Sequence, residues 1–164
     1  MFKAVIFDLD GTLLDLPINY TDMYKKISET IGITEIKSLL KTVTQIKNPQ
    51  ILKQVLDTWT DFELDIIDKI TVHEKGIQLY RQYIKLPKAL VTMQSQQTVH
   101  EICQKFNLQF DTVITRENSF NRAEQLKLAI TKFGLTPTDT LFVGNTDNDE
   151  TAAKQIDCKF SKVK

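Results

Sequence analysis

The spacing of apolar residues along this chain changes from strand-like to helical and then to a regular alternation of the two. The opening run Ala4-Val5-Ile6-Phe7 is continuous, β-branched and aromatic, the pattern of a strand buried on both faces. After Asp15 the period becomes helical until about residue 70. Tyr20, Met23, Tyr24, Ile27 and Ile31 recur at helical spacing, and Gly32 supplies a C-terminal stop. Ile36, Leu39, Leu40, Val43 and Ile46 form a second stripe. Pro49 suits the first turn of a third helix carrying Ile51, Leu52, Val55, Leu56 and Trp59. Phe62, Ile66, Ile67 and Ile70 predict a fourth helix that starts at Asp61. Such a series of amphipathic helices predicts a small all-α unit with its own core.

From His73 onward helices and strands take turns. A helix over 76–84 stops at Pro87, and Ala89-Leu90-Val91-Thr92 reads as a strand. Val99, Ile102, Cys103 and Phe106 mark a helix, and Asp111-Thr112-Val113-Ile114-Thr115 a strand. A helix over Arg122–Phe133 ends at Gly134, and Thr140-Leu141-Phe142-Val143 is the next strand. Ala152, Ala153 and Ile156 belong to a last helix, with 158–163 as a short final strand. Alternation of this kind predicts an α/β fold, a parallel sheet with helices on both faces, joined by right-handed crossovers. The first strand belongs to that sheet. The expected organisation is therefore an α/β core from 1–15 and 71–164, with residues 16–70 inserted as a small helical domain. No internal repeat or low-complexity segment interrupts it.

Composition narrows the setting. The chain has 164 residues, enough for one domain with a small appendage, and 41% hydrophobic content supports a packed core. Lysine plus arginine equals aspartate plus glutamate, 21 each, so no broad nucleic-acid or membrane footprint is expected. There is no apolar run of membrane-span length, and the chain enters a strand rather than a signal peptide. Cys103 and Cys158 stand without a His/Cys ligand cluster, which reads as two reduced thiols in a cytoplasmic protein.

The candidate chemistry lies where the first strand ends. Asp8-Leu9-Asp10-Gly11-Thr12 places two carboxylates at i and i+2 on a glycine-containing turn. Like charges so close repel, and burying both is costly without a counterion. An oxygen-rich setting without histidine suits Mg²⁺. Ligands of parallel α/β sheets also collect at the carboxyl ends of the strands.

The stretch Val5-Ile6-Phe7-Asp8-Leu9-Asp10-Gly11-Thr12-Leu13-Leu14-Asp15 resembles the opening motif of the haloacid dehalogenase-like (HAD) phosphohydrolases. That resemblance implies a Rossmann-like core with a helical cap inserted after the first motif. It implies Asp8 as the nucleophile that forms an aspartyl-phosphate, and Asp10 as the general acid and base. Thr92, at a strand end, matches the Ser/Thr that binds the transferring phosphoryl group, with the backbone N–H of Met93 beside it. Arg122, opening a helix, matches the position that usually holds Lys, with Arg116 as its competitor. Leu141-Phe142-Val143-Gly144-Asn145-Thr146-Asp147-Asn148-Asp149 resembles Gly-Asp-x-x-x-Asp, with Asn145 at the first acidic position and Asp149 at the second. The implied Mg²⁺ ligands are Asp8, Asp10, Asn145 and Asp149. The amide removes one negative charge and is expected to weaken that site unless Asp147 or Asp149 moves inward.

The expected function is Mg²⁺-dependent hydrolysis of a phosphomonoester of a small metabolite. Retention of Asp10 argues against dehalogenase and phosphonatase chemistry, whose enzymes usually lack an acid at that position. A sugar-phosphate mutase uses both acids too and stays open. So does a non-catalytic phosphate- or metabolite-binding regulatory protein, which the Asn145 departure favours.

Overall fold

Ala4–Phe7 forms a strand (β1) with all four residues buried, as a continuous apolar run requires. Leu14–Asp15 (β2) follows the turn. The computed structural model describes residues 1–163, and they divide into two compact units: Met1–Leu16 with the residues from Ile70 onward, and Pro17–Lys69.

The Pro17–Lys69 unit is helical. Tyr20–Ile31 (α1) starts at Asn19, whose side chain accepts from the Asp22 N–H, and ends at Gly32 in the left-handed region. Leu39–Gln45 (α2) is capped by Ser38. Pro49–Leu64 (α3) is capped by Asn48, with proline in its first turn. Met23 and Ile27 of α1, and Val55 and Trp59 of α3, are buried. The fourth helix expected to start at Asp61 does not form separately. Nothing between Trp59 and Phe62 breaks the hydrogen-bond ladder, so Asp61 lies inside α3. The chain then turns at Asp65, and only a single 3₁₀ turn, Ile67–Lys69, follows.

Thr71–Val72 (β3) pairs antiparallel with β2, Leu14 opposite Val72 and Asp15 opposite Thr71. The chain thus leaves and re-enters the core unit side by side. Two-residue strands are too short to show in hydrophobic periodicity. The core unit continues with Glu74–Gln82 (α4), Lys88–Val91 (β4), Gln96–Phe106 (α5) and Thr112–Ile114 (β5). Arg122–Phe133 (α6), Thr140–Gly144 (β6), Asp147–Gln155 (α7) and Lys159–Lys162 (β7) complete it. The sheet order is β5-β4-β1-β6-β7, and every pairing is parallel. This is the α/β architecture that the alternation predicts, in the Rossmann-like form that the resemblance implies.

Alternate residues of β1 face opposite sides. Ile6 joins Ala89, Val91, Ile114 and Phe142 in a core with Leu126 and Ile130 of α6 and Ala152 and Ala153 of α7. Phe7 faces the other way, its ring 5.8 Å from that of Tyr80 on α4. The central position of β1 matters for the site. Its neighbours β4 and β6 begin two oppositely directed halves of the sheet, so the crevice at the carboxyl end of β1 is the topological switch point. Among the described residues no helix is long and apolar enough to cross a membrane.

Candidate active site

Asp8 is the first residue past β1, and its N–H donates to the Val143 carbonyl at 2.9 Å, tying it to the end of β6. The chain then folds over Leu9, whose carbonyl accepts the N–H groups of Thr12, Leu13 and Leu14. Gly11 makes that turn at φ 71°. It also admits a neighbour: a Cβ at Gly11 would lie 2.1 Å from Asn145 Nδ2. Gly76 does the same for α4, since a Cβ there would sit 1.6 Å from the Thr12 carbonyl oxygen. Loop, β6 end and α4 are therefore interlocked at two glycines.

Thr12 is fully buried. Its hydroxyl oxygen lies 3.0 Å from Asp8 Oδ2 and 3.3 Å from Asn145 Oδ1. A hydroxyl carries one proton, so it serves one of these acceptors at a time. Two oxygen acceptors thus converge on a single donor.

The other carboxylate oxygen, Asp8 Oδ1, accepts from Arg122 Nη2 at 2.9 Å. Arg122 is the first residue of α6, placed by Asn121, whose side chain caps the helix. Its Nε lies 3.1 Å from Asp149 Oδ1. That N–H is not aligned for a hydrogen bond, so the contact is an ion pair by distance only. Nη1 donates to Gln125 Oε1 at 2.9 Å. One guanidinium thus serves two buried carboxylates and one amide. Arg116, the competitor, is also buried, but its Nη1 donates to the Met93 carbonyl at 3.1 Å.

Electrostatics follow from this geometry. Burial pushes the Asp8 carboxyl up to about 7, the Asp149 charge adds to the rise, and Arg122, Thr12 and the Leu9 N–H oppose it. Asp10 is also raised, first by burial, against the Leu16 N–H that donates to its Oδ1 at 3.0 Å. The Asp15 charge adds to that rise.

At the end of β4, Thr92 is fully buried and its N–H donates to the Ile114 carbonyl. The Thr92 hydroxyl donates to Gln94 Oε1. At the end of β6, Thr146 and Asp149 form a capping box on α7. Asp149 Oδ2 accepts from Thr146 Oγ1 at 2.7 Å, from the Thr146 N–H at 3.1 Å and from the Asn145 N–H at 3.3 Å. Both oxygens of Asp149 are therefore engaged, one by the helix start and one by Arg122. Asp147 does not move inward: its side chain is 92% exposed and pairs with Lys162. Of the two acids that could offset the charge missing at Asn145, Asp147 thus lies in solvent and Asp149 is already held.

The structure brings Asp8, Thr12, Arg122, Asn145 and Asp149 into one contact network, and links Thr92 and Met93 to it through Gln125, whose Nε2 donates to the Thr92 carbonyl at 2.9 Å and lies 3.8 Å from Met93 Sδ. Asp10 sits two residues from Asp8 but is held by the Leu16 N–H. Sequence reasoning missed Gln125. The available signal was the Arg122-x-x-Gln125 spacing, which puts both side chains on one helix face.

No group of three or more His, Cys, Asp or Glu side chains able to hold a metal gathers among the described residues. The local donor set still suits a hard cation. It is all oxygen on the Asp8–Asn145 side, one acceptor there is left short by Thr12, and two buried carboxylates share one guanidinium. Mg²⁺ needs only one or two protein carboxylates when water and phosphate oxygens complete its shell.

A family model for haloacid dehalogenase-like hydrolases matches residues 2–157. Among curated proteins none matches the chain. Solved structures resemble it over nearly its whole length. A haloacid dehalogenase-like hydrolase from Streptococcus pneumoniae has a TM-score of 0.73 at 16% identity, covering 99% of this chain and 85% of that one. CbbY from Rhodobacter sphaeroides, in complex with phosphate, has a TM-score of 0.74 at 15% identity, covering 100% and 88%. L-2-haloacid dehalogenase from Xanthobacter autotrophicus, with chloropropionic acid covalently bound, has a TM-score of 0.63 at 18% identity, covering 99% and 78%.

Proposed function

The chain belongs to the haloacid dehalogenase-like hydrolases, and on that premise we propose that it hydrolyses phosphate monoesters of small metabolites through Asp8. The observation that carries this reading is the buried Asp8 carboxylate, gripped at one oxygen by Arg122 and at the other by Thr12. A carboxylate so fixed has little rotational freedom to lose on attack.

In the proposed reaction an Asp8 oxygen attacks phosphorus, and the ester P–O bond breaks. Asp10 gives its proton to the departing alkoxide, which leaves as the alcohol. Burial already holds Asp10 above the usual carboxylate range, which favours the protonated form this step needs. Asp10 then takes a proton from the attacking water, and phosphate and free Asp8 are regenerated. Arg122, the Thr92 hydroxyl and the Met93 N–H are the proposed partners of the phosphoryl oxygens. Asp8, the main-chain carbonyl of Asp10 and Asn145 would hold Mg²⁺, which leaves the Asp10 carboxyl free to carry the proton, with Asp149 acting through Arg122. When bound, the ion supplies positive charge that lowers repulsion between the nucleophile and the phosphoryl group.

Retention of Asp10 favours phosphoryl transfer over halide displacement, where no leaving group needs a proton. A second reading, an oxyanion-binding protein without turnover, draws on Asn145 and on Arg122 occupying Asp8. Hydrolysis of p-nitrophenyl phosphate across a Mg²⁺ titration, in wild type and Asp8→Asn, separates them. Turnover that needs Mg²⁺ and vanishes in the variant supports the phosphatase. Phosphate binding with no turnover at any Mg²⁺ concentration supports the binding protein.

A further inference from the structure

Gln125 is fully buried on the first turn of α6, and every polar atom of its side chain is used. Its Oε1 accepts from Arg122 Nη1 at 2.9 Å. Its Nε2 donates to the Thr92 carbonyl and to the Ser119 carbonyl, each at 2.9 Å. The amide therefore ties three things together: the arginine that grips Asp8, the strand end that carries Thr92, and the loop that leads into α6. Its orientation is fixed, because reversing the amide would set its NH₂ against Arg122 and its oxygen against two carbonyls. A lysine in place of Arg122 could not use this arrangement fully. It has a single nitrogen, whereas the guanidinium fork reaches Asp8 through Nη2 and Gln125 through Nη1 at once.

From this geometry we propose that Gln125 is a positioning residue for the reaction. It sets the plane of the Arg122 guanidinium against Asp8 and keeps it in register with the Thr92 strand end. The proposal rests on the phosphatase reading above for its chemistry, but the Arg122–Gln125 coupling is testable apart from turnover.

The test is a double-variant cycle. Gln125→Met and Gln125→Glu are each made in wild type and in Arg122→Lys, and folding is checked by circular dichroism. Turnover of p-nitrophenyl phosphate and calorimetric binding of inorganic phosphate are measured with Mg²⁺ present. Gln125→Met is expected to lower kcat about ten- to a hundred-fold with a smaller change in KM. In Arg122→Lys, which lacks Nη1, the same change is expected to cost less than about two-fold more. Gln125→Glu is isosteric and keeps the test open if methionine unfolds this polar site. It is expected to lose at least as much, because the added charge draws the guanidinium off Asp8.

Equal losses in both backgrounds would overturn the positioning role and leave Gln125 as a packing residue. If wild type turns over no ester, the phosphatase reading has failed, and phosphate affinity decides the remainder. Weakening by Gln125→Met in wild type but not in Arg122→Lys supports the coupling, and no weakening in wild type overturns it. Wild type that neither hydrolyses the ester nor binds phosphate would overturn both.

Discussion

The loop after β1 and the helix starts after β5 and β6 meet in one network around Asp8, yet they are built on different terms. The loop side follows its family's pattern residue for residue, from Asp8 through Gly11 to Thr12, and is held by backbone turns. The other side matches the motif it resembles less closely, with Arg122 where lysine is more usual and Asn145 in place of an aspartate, and is held by side chains. The two departures are electrostatically related. An amide at 145 lowers the negative charge available to a cation, while Arg122 brings a fixed positive charge onto Asp8 and Asp149 together. The difference teaches that one carboxylate can be restrained either by a folded loop or by a shared cation, and this site uses both.

The largest effect should come from breaking the shared cation. Arg122→Ala leaves the buried Asp8 and Asp149 without their counter-charge, and activity on p-nitrophenyl phosphate should fall by about 10²–10³-fold. Arg122→Lys, which keeps the charge and loses the fork, should fall by less. Equal activity for Arg122→Ala and wild type would remove the guanidinium from the mechanism.

The next largest concerns Asp8 itself, as a stability effect that varies with pH. Its native pKa of about 7 lies above the ordinary value near 4. The native state therefore binds this proton more tightly than the unfolded chain. The corresponding stability is present below about pH 4 and is lost as pH rises through about 7. Asp8→Asn removes the ionisation, so thermal unfolding without Mg²⁺ should show the variant gaining on wild type between pH 5 and pH 8. The gain should be on the order of 1–3 kcal/mol. A gap that does not widen with pH would contradict the burial of an ionising Asp8.

On the loop side, Gly11→Ala should destabilise by roughly 1–3 kcal/mol. It combines a left-handed φ with a Cβ 2.1 Å from Asn145 Nδ2, and chemical denaturation reads the loss. Asn145→Asp should strengthen Mg²⁺ activation by about ten-fold, read from the Mg²⁺ concentration for half-maximal turnover. The smallest effect belongs to Asp147→Asn, which should leave activity unchanged because that side chain faces solvent and Lys162.

How far the sequence revealed this site divides along the same line. The continuous apolar runs and the helical stripes were enough to read β1, α6 and the parallel sheet, because buried strands and one-sided helices leave strong periodic traces. Asp8 and Asp10 stood out because two acids on a glycine turn are costly unless they have a use, and because the eleven residues that hold them resemble one family's opening motif. Asp61 misled because a helix start and a solvent-facing acid within a helix look alike without a breaker before them. The β2–β3 pair was too short to leave a pattern. The contacts of Arg122 with Asp149 and Gln125 were hidden for another reason. They depend on which rotamers meet once α6 and α7 stand side by side, and spacing along one helix carries only the Gln125 half of that information.

The most direct test of the central claim, that Asp8 is the attacking carboxylate, is chemical trapping. The protein is turned over on p-nitrophenyl phosphate with Mg²⁺, quenched in acid, and its peptides are mapped by mass spectrometry. The account predicts a phosphoryl group on Asp8, removed by hydroxylamine and absent from Asp8→Asn. Turnover with no phosphoryl group on Asp8, or turnover that persists in Asp8→Asn, would contradict it.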